Sequence, residues 1–360
     1  MISIDNVEQY PELDPQNMLG HIQDLPTQLV TAWQTGLTHS IKGLSTPGAV
    51  IIAGVGGSAI GADLLASYVQ DSCPIPVFVH RDYGLPAWAN GPETLVIASS
   101  HSGNTEETVS AYEEAHKRGC QRVAIARGGK LSELAIQSES LWWSFVHNGQ
   151  PRSAVGWTFG LLLALFHQLG LTPDAGEAIQ AACDAMLSQQ ELLAPQVTLI
   201  KNPAKRQAGQ LMDRWVCVAG SGIFATVARR WKGQMNELPK AWAQFEFLPE
   251  LDHNTLAGTI CPAEMLEKLV VLFIRGEADH ARNGLRSELS RREFMQQGIA
   301  TDVYQAKGST VMEQMWTAIH FGDYMTYYLA LLYGIDPTPI VAMENLKVLL
   351  KQHKKIRDCF

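Results

Sequence analysis

The sequence predicts an α/β fold of two similar αβα sandwich domains with parallel sheets and additional helices. Three observations lead there. The continuous apolar run 49–53 ends in Gly54, Gly56 and Gly57 and is followed by helical character over 59–69. Further short apolar strands at 77–79, 95–98 and 122–126 include a helical stretch, 106–118, between the last two. The order of strand, Gly/Ser turn and helix then returns at 215–222 and 223–238, which suggests a duplication. Strands apolar on both faces and separated by helices belong to parallel sheets covered on both sides.

Taken in order, residues 1–45 read as an extended arm and a helix. Leu25, Leu29, Trp33 and Leu37 form its apolar stripe, weakened by Pro26 and Gly36. Residues 46–155 form the first domain and 156–200 a helical connector. The second domain, 201–335, has further strands at 269–274 and 299–304 and a long packed helix over 312–332. A C-terminal tail, 336–360, follows the Asp336-Pro337-Thr338-Pro339 turn with a last helix around 345–351.

Composition narrows the function. The chain has 360 residues, 46% of them apolar, enough for more than one core. Its formal charge of -8 leaves no broad basic surface, which argues against nucleic acid as a partner. The six cysteines are dispersed, without the close pairs of a zinc or dithiol site, and read as mostly buried thiols of a reducing compartment. The polar, acidic start lacks the regions of a secretory signal, so a cytoplasmic location is expected. The apolar stretch 157–169 is too short to span a bilayer and reads as a core helix.

The chemistry concentrates in two turns. Ser99-Ser100-His101-Ser102-Gly103-Asn104-Thr105 lies between a strand and a helix, where hydroxyls and unpaired first-turn N–H groups favour a phosphate. Gly54-Val55-Gly56-Gly57-Ser58, with Gly61 and Asp82, overlaps the dinucleotide fingerprint. Two such loops at neighbouring strand ends fit a phosphosugar better than an adenine dinucleotide. No cofactor is therefore expected. Histidines 101, 147, 167, 280 and 320 lack metal-ligand spacing, and Glu277, Asp279 and His280 read as a polar loop, so no metal is expected either. Trp231, Trp242, Phe245 and Phe247 read first as core packing, with a shield for a carboxylate or a dimer contact as the other readings.

These loops resemble the sugar isomerase (SIS) domain family. The ordered set adds Pro151-Arg152, Asn236-Glu237-Leu238-Pro239-Lys240, Leu248-Pro249-Glu250-Leu251-Asp252-His253-Asn254, and Asp336-Pro337-Thr338-Pro339 with Lys347. With these, nearly the whole chain is similar to the bifunctional phosphoglucose/phosphomannose isomerase family. The resemblance implies a metal-independent isomerisation of glucose 6-phosphate and fructose 6-phosphate, with mannose 6-phosphate as a second substrate, in glycolysis and gluconeogenesis. It makes Glu237 the base between C1 and C2 and sets Arg152 against the enediolate. His253, supplied by the neighbouring subunit of a homodimer, and Lys347 open the ring. Ser58, Ser100, Ser102 and Thr105 hold the phosphate, Gly57 joins them in the substrate-binding set, and Thr338 lies near the C2 end. Two departures stand out: Leu238-Pro239 follows the base, and His101 adds a donor near the phosphate.

Physical chemistry suits those roles. Proton removal beside a carbonyl calls for a shielded carboxylate, and a fixed guanidinium places donors along two developing oxyanions better than a flexible ammonium does. A non-catalytic sugar-phosphate sensor would need the cradle alone. Amidotransfer to an aminosugar would need an ammonia source, and the chain has no N-terminal cysteine nucleophile.

Overall fold

The computed structural model describes residues 4–353. The N-terminal arm is helical instead of extended: a 3-10 turn, Val7–Gln9, leads into α1 (Tyr10–Leu13), α2 (Met18–Gln23) and α3 (Leu25–Thr38). Local hydrogen bonding explains the difference. The Asp14 carboxylate accepts from Met18 N at 2.7 Å and Leu19 N at 2.9 Å, satisfying donors that open α2. In α3, Leu25, Leu29 and Trp33 are buried as the stripe predicts, whereas Leu37 is exposed. Pro26 sits in the first turn, where a missing N–H costs nothing.

The first sheet contains β1 (Ala49–Ala53), β2 (Val77–His80), β3 (Thr94–Ser100), β4 (Gln121–Ala126) and β5 (Leu141–Trp143), with α4 (Gly56–Tyr68), α5 (Glu106–Lys117) and α6 (Gly129–Gln137) between strands. All pairs are parallel, in the order β2-β1-β3-β4-β5. Chain direction across the sheet therefore reverses between β1 and β3, and the turns leaving these two strands flank the crevice where α/β sheets bind ligands.

Three helices follow: α7 (Val155–Gln168), α8 (Gly176–Leu193) and α9 (Pro203–Gln210). Helix α7 holds the expected core segment, with Phe159 and Leu161 to Phe166 fully buried. Among the described residues, no helix is long and apolar enough to cross a membrane. The second sheet is also parallel, with β6 (Trp215–Ser221), α10 (Ile223–Glu237), β7 (Ala243–Leu248), α11 (Ala263–Leu266), β8 (Leu269–Arg275), α12 (Ala281–Gln296) and β9 (Ala300–Gln305). Its order, β7-β6-β8-β9, repeats the first four positions of the first sheet. This is a duplicated αβα architecture. Helix α13 (Val311–Leu332), started by a Thr310–Glu313 capping box, is buried almost throughout, and α14 (Val341–Gln352) closes the described chain.

The first helices of the two cycles pack against each other. Ser67 Oγ lies 2.7 Å from Thr226 Oγ1, and Asp63 pairs with Arg229 at 3.2 Å, so residue numbers rise along α4 as they fall along α10. The helices are antiparallel. Continued along both axes, this register sets the start of α4 beside the end of α10, and so Gly56–Ser58 beside Glu237.

Candidate active site

Both hydroxyl turns open a helix whose N-terminus lacks a side-chain cap. Val55 precedes α4 and Thr105 precedes α5, neither donating nor accepting a capping bond, so the positive poles of both helices face the same crevice. The turns are tied together: His101 N donates to Ser58 Oγ at 3.3 Å. Within the second turn Ser100 Oγ is 2.8 Å from Thr105 Oγ1 and accepts from Gly103 N at 3.1 Å. Ser102 is exposed, and its Oγ accepts from Asn104 N at 3.2 Å.

Arg152 comes next, in the 3-10 turn Pro151–Ser153. A Cβ on Gly57 would stand 2.5 Å from Pro151 O and 3.1 Å from Arg152 N, so only glycine lets α4 start this close to the arginine. We expect Gly57→Ala to displace the Pro151–Arg152 turn, lowering sugar-phosphate affinity about tenfold and stability by about 1–3 kcal/mol. Calorimetric titration and urea unfolding measure the two.

The Arg152 side chain is buried, 4% exposed, and its Nη1 lies 3.7 Å from Glu237 Oε2, whose side chain is 27% exposed. Nη2 donates to Pro337 O at 2.9 Å and to Thr338 O, while Nε is buried without a partner. Thr338 is itself buried, with an unpartnered Oγ1. The guanidinium thus spans the last residue of α10, the 151–153 turn and the 336–338 turn.

Two cations to which the sequence reading gave no role hold this arrangement. Arg230, two turns before Glu237 on α10, donates from Nη1 to Arg152 O at 2.8 Å and from Nη2 to the Asp323 carboxylate at 2.9 and 3.1 Å. Gln234 Nε2 adds a bond to Asp323 at 2.8 Å. Lys240 Nζ donates to Glu237 O, Leu238 O and Asp336 O at 3.1, 3.0 and 2.8 Å, neutralising the carbonyl end of α10 and binding it to the 336 turn. Desolvation first, and then the Arg152 guanidinium, pull its ammonium down to about 8 against the opposing pull of Asp336 and Glu237. Its position directly after Pro239, which ends the helix, was the available signal.

The structure thus gathers Gly57, Ser58, Ser100, Thr105, Arg152, Glu237 and Thr338 in one connected cluster, with Ser102 at its rim. It does not bring in His253 or Lys347. His253 is exposed on the 3-10 turn Glu250–His253, which Asp252 anchors through Arg286 at 2.8 Å and Ser290 at 2.6 Å. Lys347 lies on α14, exposed from Val341 to Leu350, and forms no ion pair among the described residues. A cavity of about 700 Å³ lined by α8, α9 and β9 contains none of these residues.

Two further expectations change. The His101 ring turns to a partner outside the hydroxyl turns: it is buried, with Nε2 3.0 Å from His147 Nδ1. His280, by contrast, lies in the expected polar loop after β8 and caps α12 from it, accepting from Arg282 N at 3.2 Å. Of the four aromatics, Trp231 is core and Phe245 half-buried under Arg229, but Trp242 and Phe247 are 78% and 46% exposed, which overturns core packing for those two.

Burial is the first cause that pulls His101, His147 and His320 down to about 4. The unfolded chain, with histidines near 6.5, therefore binds more protons between these values. We expect stability to be complete above about pH 6.5 and to fall toward pH 4, by up to ~1.4 kcal/mol per pH unit for each ring. Urea unfolding across that range checks the slope.

Sequence comparison agrees with the geometry. Residues 200–350 match the bacterial phospho-glucose isomerase C-terminal SIS domain. The bifunctional phosphoglucose/phosphomannose isomerase of Caldicellulosiruptor bescii is 38% identical over 94% of this chain and 100% of its own. The chain belongs to the bifunctional phosphoglucose/phosphomannose isomerase family. The member from Aquifex aeolicus is 32% identical over 87% of this chain and 93% of its own. A glucose-6-phosphate isomerase like protein from Thermus thermophilus shares the fold, with a TM-score of 0.63 and 20% identity over 94% of this chain and 99% of that one. Membership places the chain among the phosphosugar isomerases built on SIS domains, whose chemistry is metal-independent. Among the described residues, no group of three or more His, Cys, Asp or Glu side chains is arranged to hold a metal.

Proposed function

We propose that this protein interconverts glucose 6-phosphate and fructose 6-phosphate, and also mannose 6-phosphate, through a cis-enediolate. The observation that carries the reading is the Arg152–Glu237 pair, 3.7 Å apart, beside two uncapped helix N-termini lined with hydroxyls. The phosphate dianion binds Ser58, Ser100, Ser102 and Thr105 and the first-turn N–H groups of α4 and α5. The open chain then extends toward the end of α10, with Thr338 near C2. Glu237 takes the proton from C2 of the aldose and returns it to C1 while the hydroxyl proton on O2 passes to O1, or the reverse from the ketose. Arg152 donates to the oxygens on C1 and C2 as they gain charge. Protonation of C2 from one face or the other gives the glucose or the mannose epimer.

Ring opening precedes the proton transfer, and the cluster described so far holds no imidazole aimed at it. We assign that step to the partner subunit's His253 in a homodimer, with Lys347 approaching from α14. Their exposure on one copy supports this assignment. The test is a side-by-side incubation of the three sugar phosphates in deuterated water, followed by NMR. Interconversion with deuterium at C2 of the aldose is expected. Tight binding of fructose 6-phosphate without exchange would make the protein a sensor and overturn the proposal.

A further inference from the structure

We propose that His101 and His147 form a positioning pair, a single imidazole-to-imidazole hydrogen bond that fixes the phosphate turn against the segment leading to Arg152. This rests on the sugar-phosphate reading of the site. The His101 ring leaves the turn between Ser100 and Ser102, runs inward, and stands edge-on to Phe145 with centroids 5.9 Å apart. Its Nε2 meets His147 Nδ1 at 3.0 Å, while its backbone N–H holds Ser58 Oγ. One residue therefore ties the first hydroxyl turn, the second, and the strand-end segment 145–147.

The tie continues to the arginine. A Cβ on Gly149 would lie 2.6 Å from Ser153 Oγ, 2.7 Å from His21 Cε1 and 2.8 Å from His147 Cε1, so His147 and the residue after Arg152 close on the same glycine. His147 Nε2 is buried without a partner, which leaves the bond to His101 as the ring's one polar contact among the described residues.

Such a bond needs an N–H on one ring and a lone pair on the facing nitrogen of the other, which two neutral rings supply; a second proton on the accepting ring removes that lone pair and breaks the bond. The surroundings keep both rings neutral. The charged or titratable groups facing the pair are Arg127, which acts on both rings, and His21, whose ring lies 5.3 Å from that of His147. With burial, these depress both rings well below neutral pH.

Calorimetric binding of fructose 6-phosphate tests the proposal independently of turnover. His147→Ala is expected to weaken binding about tenfold at pH 7.5. His147→Gln, whose neutral amide can still donate or accept, is expected to stay within about threefold of the parent, and His101→Phe, which keeps the ring without its nitrogens, to behave like His147→Ala. In proton NMR, a slowly exchanging ring N–H resonance of the parent should vanish in His147→Ala and His101→Phe alike. Parent-like binding by His147→Ala or His101→Phe overturns the positioning role alone. Failure of the parent protein to bind the sugar phosphate overturns the reading of the site on which it rests.

Discussion

Glu237→Gln is expected to reduce interconversion of glucose 6-phosphate and fructose 6-phosphate by about a thousandfold or more, within the range for loss of a general base. Binding of fructose 6-phosphate should stay within about threefold. The amide preserves the shape of the side chain and its place at the end of α10, so the hydroxyl turns and the Arg152 bonds to Pro337 O and Thr338 O persist. What disappears is the ability to take a proton from carbon. Deuterium wash-in at C2 and calorimetric binding, measured on one preparation, separate the two effects. Unchanged wash-in would reject Glu237 as the base.

The largest loss of stability is expected at Asp323. Its carboxylate is 5% exposed and accepts from Arg230 and Gln234, while Arg230 is 3% exposed. Asp323→Ala removes the anion and leaves the guanidinium buried with only Arg152 O as acceptor. Removing one partner of a buried ion pair costs about 3–5 kcal/mol, because the remaining charge keeps its desolvation penalty. Asp323→Asn keeps an acceptor oxygen and should cost less. Urea unfolding monitored by tryptophan fluorescence measures both, and equal stability of Asp323→Ala and the parent would refute the account.

The legible parts of the fold are those where burial leaves a mark in the sequence. Strands β1, β3 and β6 are covered on both faces and consist of largely apolar residues that run into Gly or Ser. Strand β5 is only three residues long, and β7, Ala-Gln-Phe-Glu-Phe-Leu, has one fully covered residue at each end. Helix α12 buries only Ser287, Ser290 and Phe294, so no apolar stripe announces it. The N-terminal arm escapes the pattern because Asp14 starts a helix by hydrogen bonding, which leaves no hydrophobic period.

The site shows the same division. Its hydroxyl turns are contiguous and can be read directly, whereas Arg152 and Glu237 lie far apart in sequence and are joined there only by resemblance. Arg230 and Asp323 carry no local signal. Each looks like one more helical charge until α10 and α13 are set together. His101 is visible, but the direction of its ring depends on His147, which its own segment does not specify.

The antiparallel contact between α4 and α10 has a consequence for regiochemistry. It holds the positive pole of one helix and the final carboxylate of the other at a fixed separation, which on the proposed reading gives the bound molecule a head and a tail. A hexose phosphorylated on its anomeric carbon would meet the base with its esterified end far away and no carbonyl in reach. A site so built would measure the distance between dianion and reactive carbon and refuse such an isomer for its connectivity.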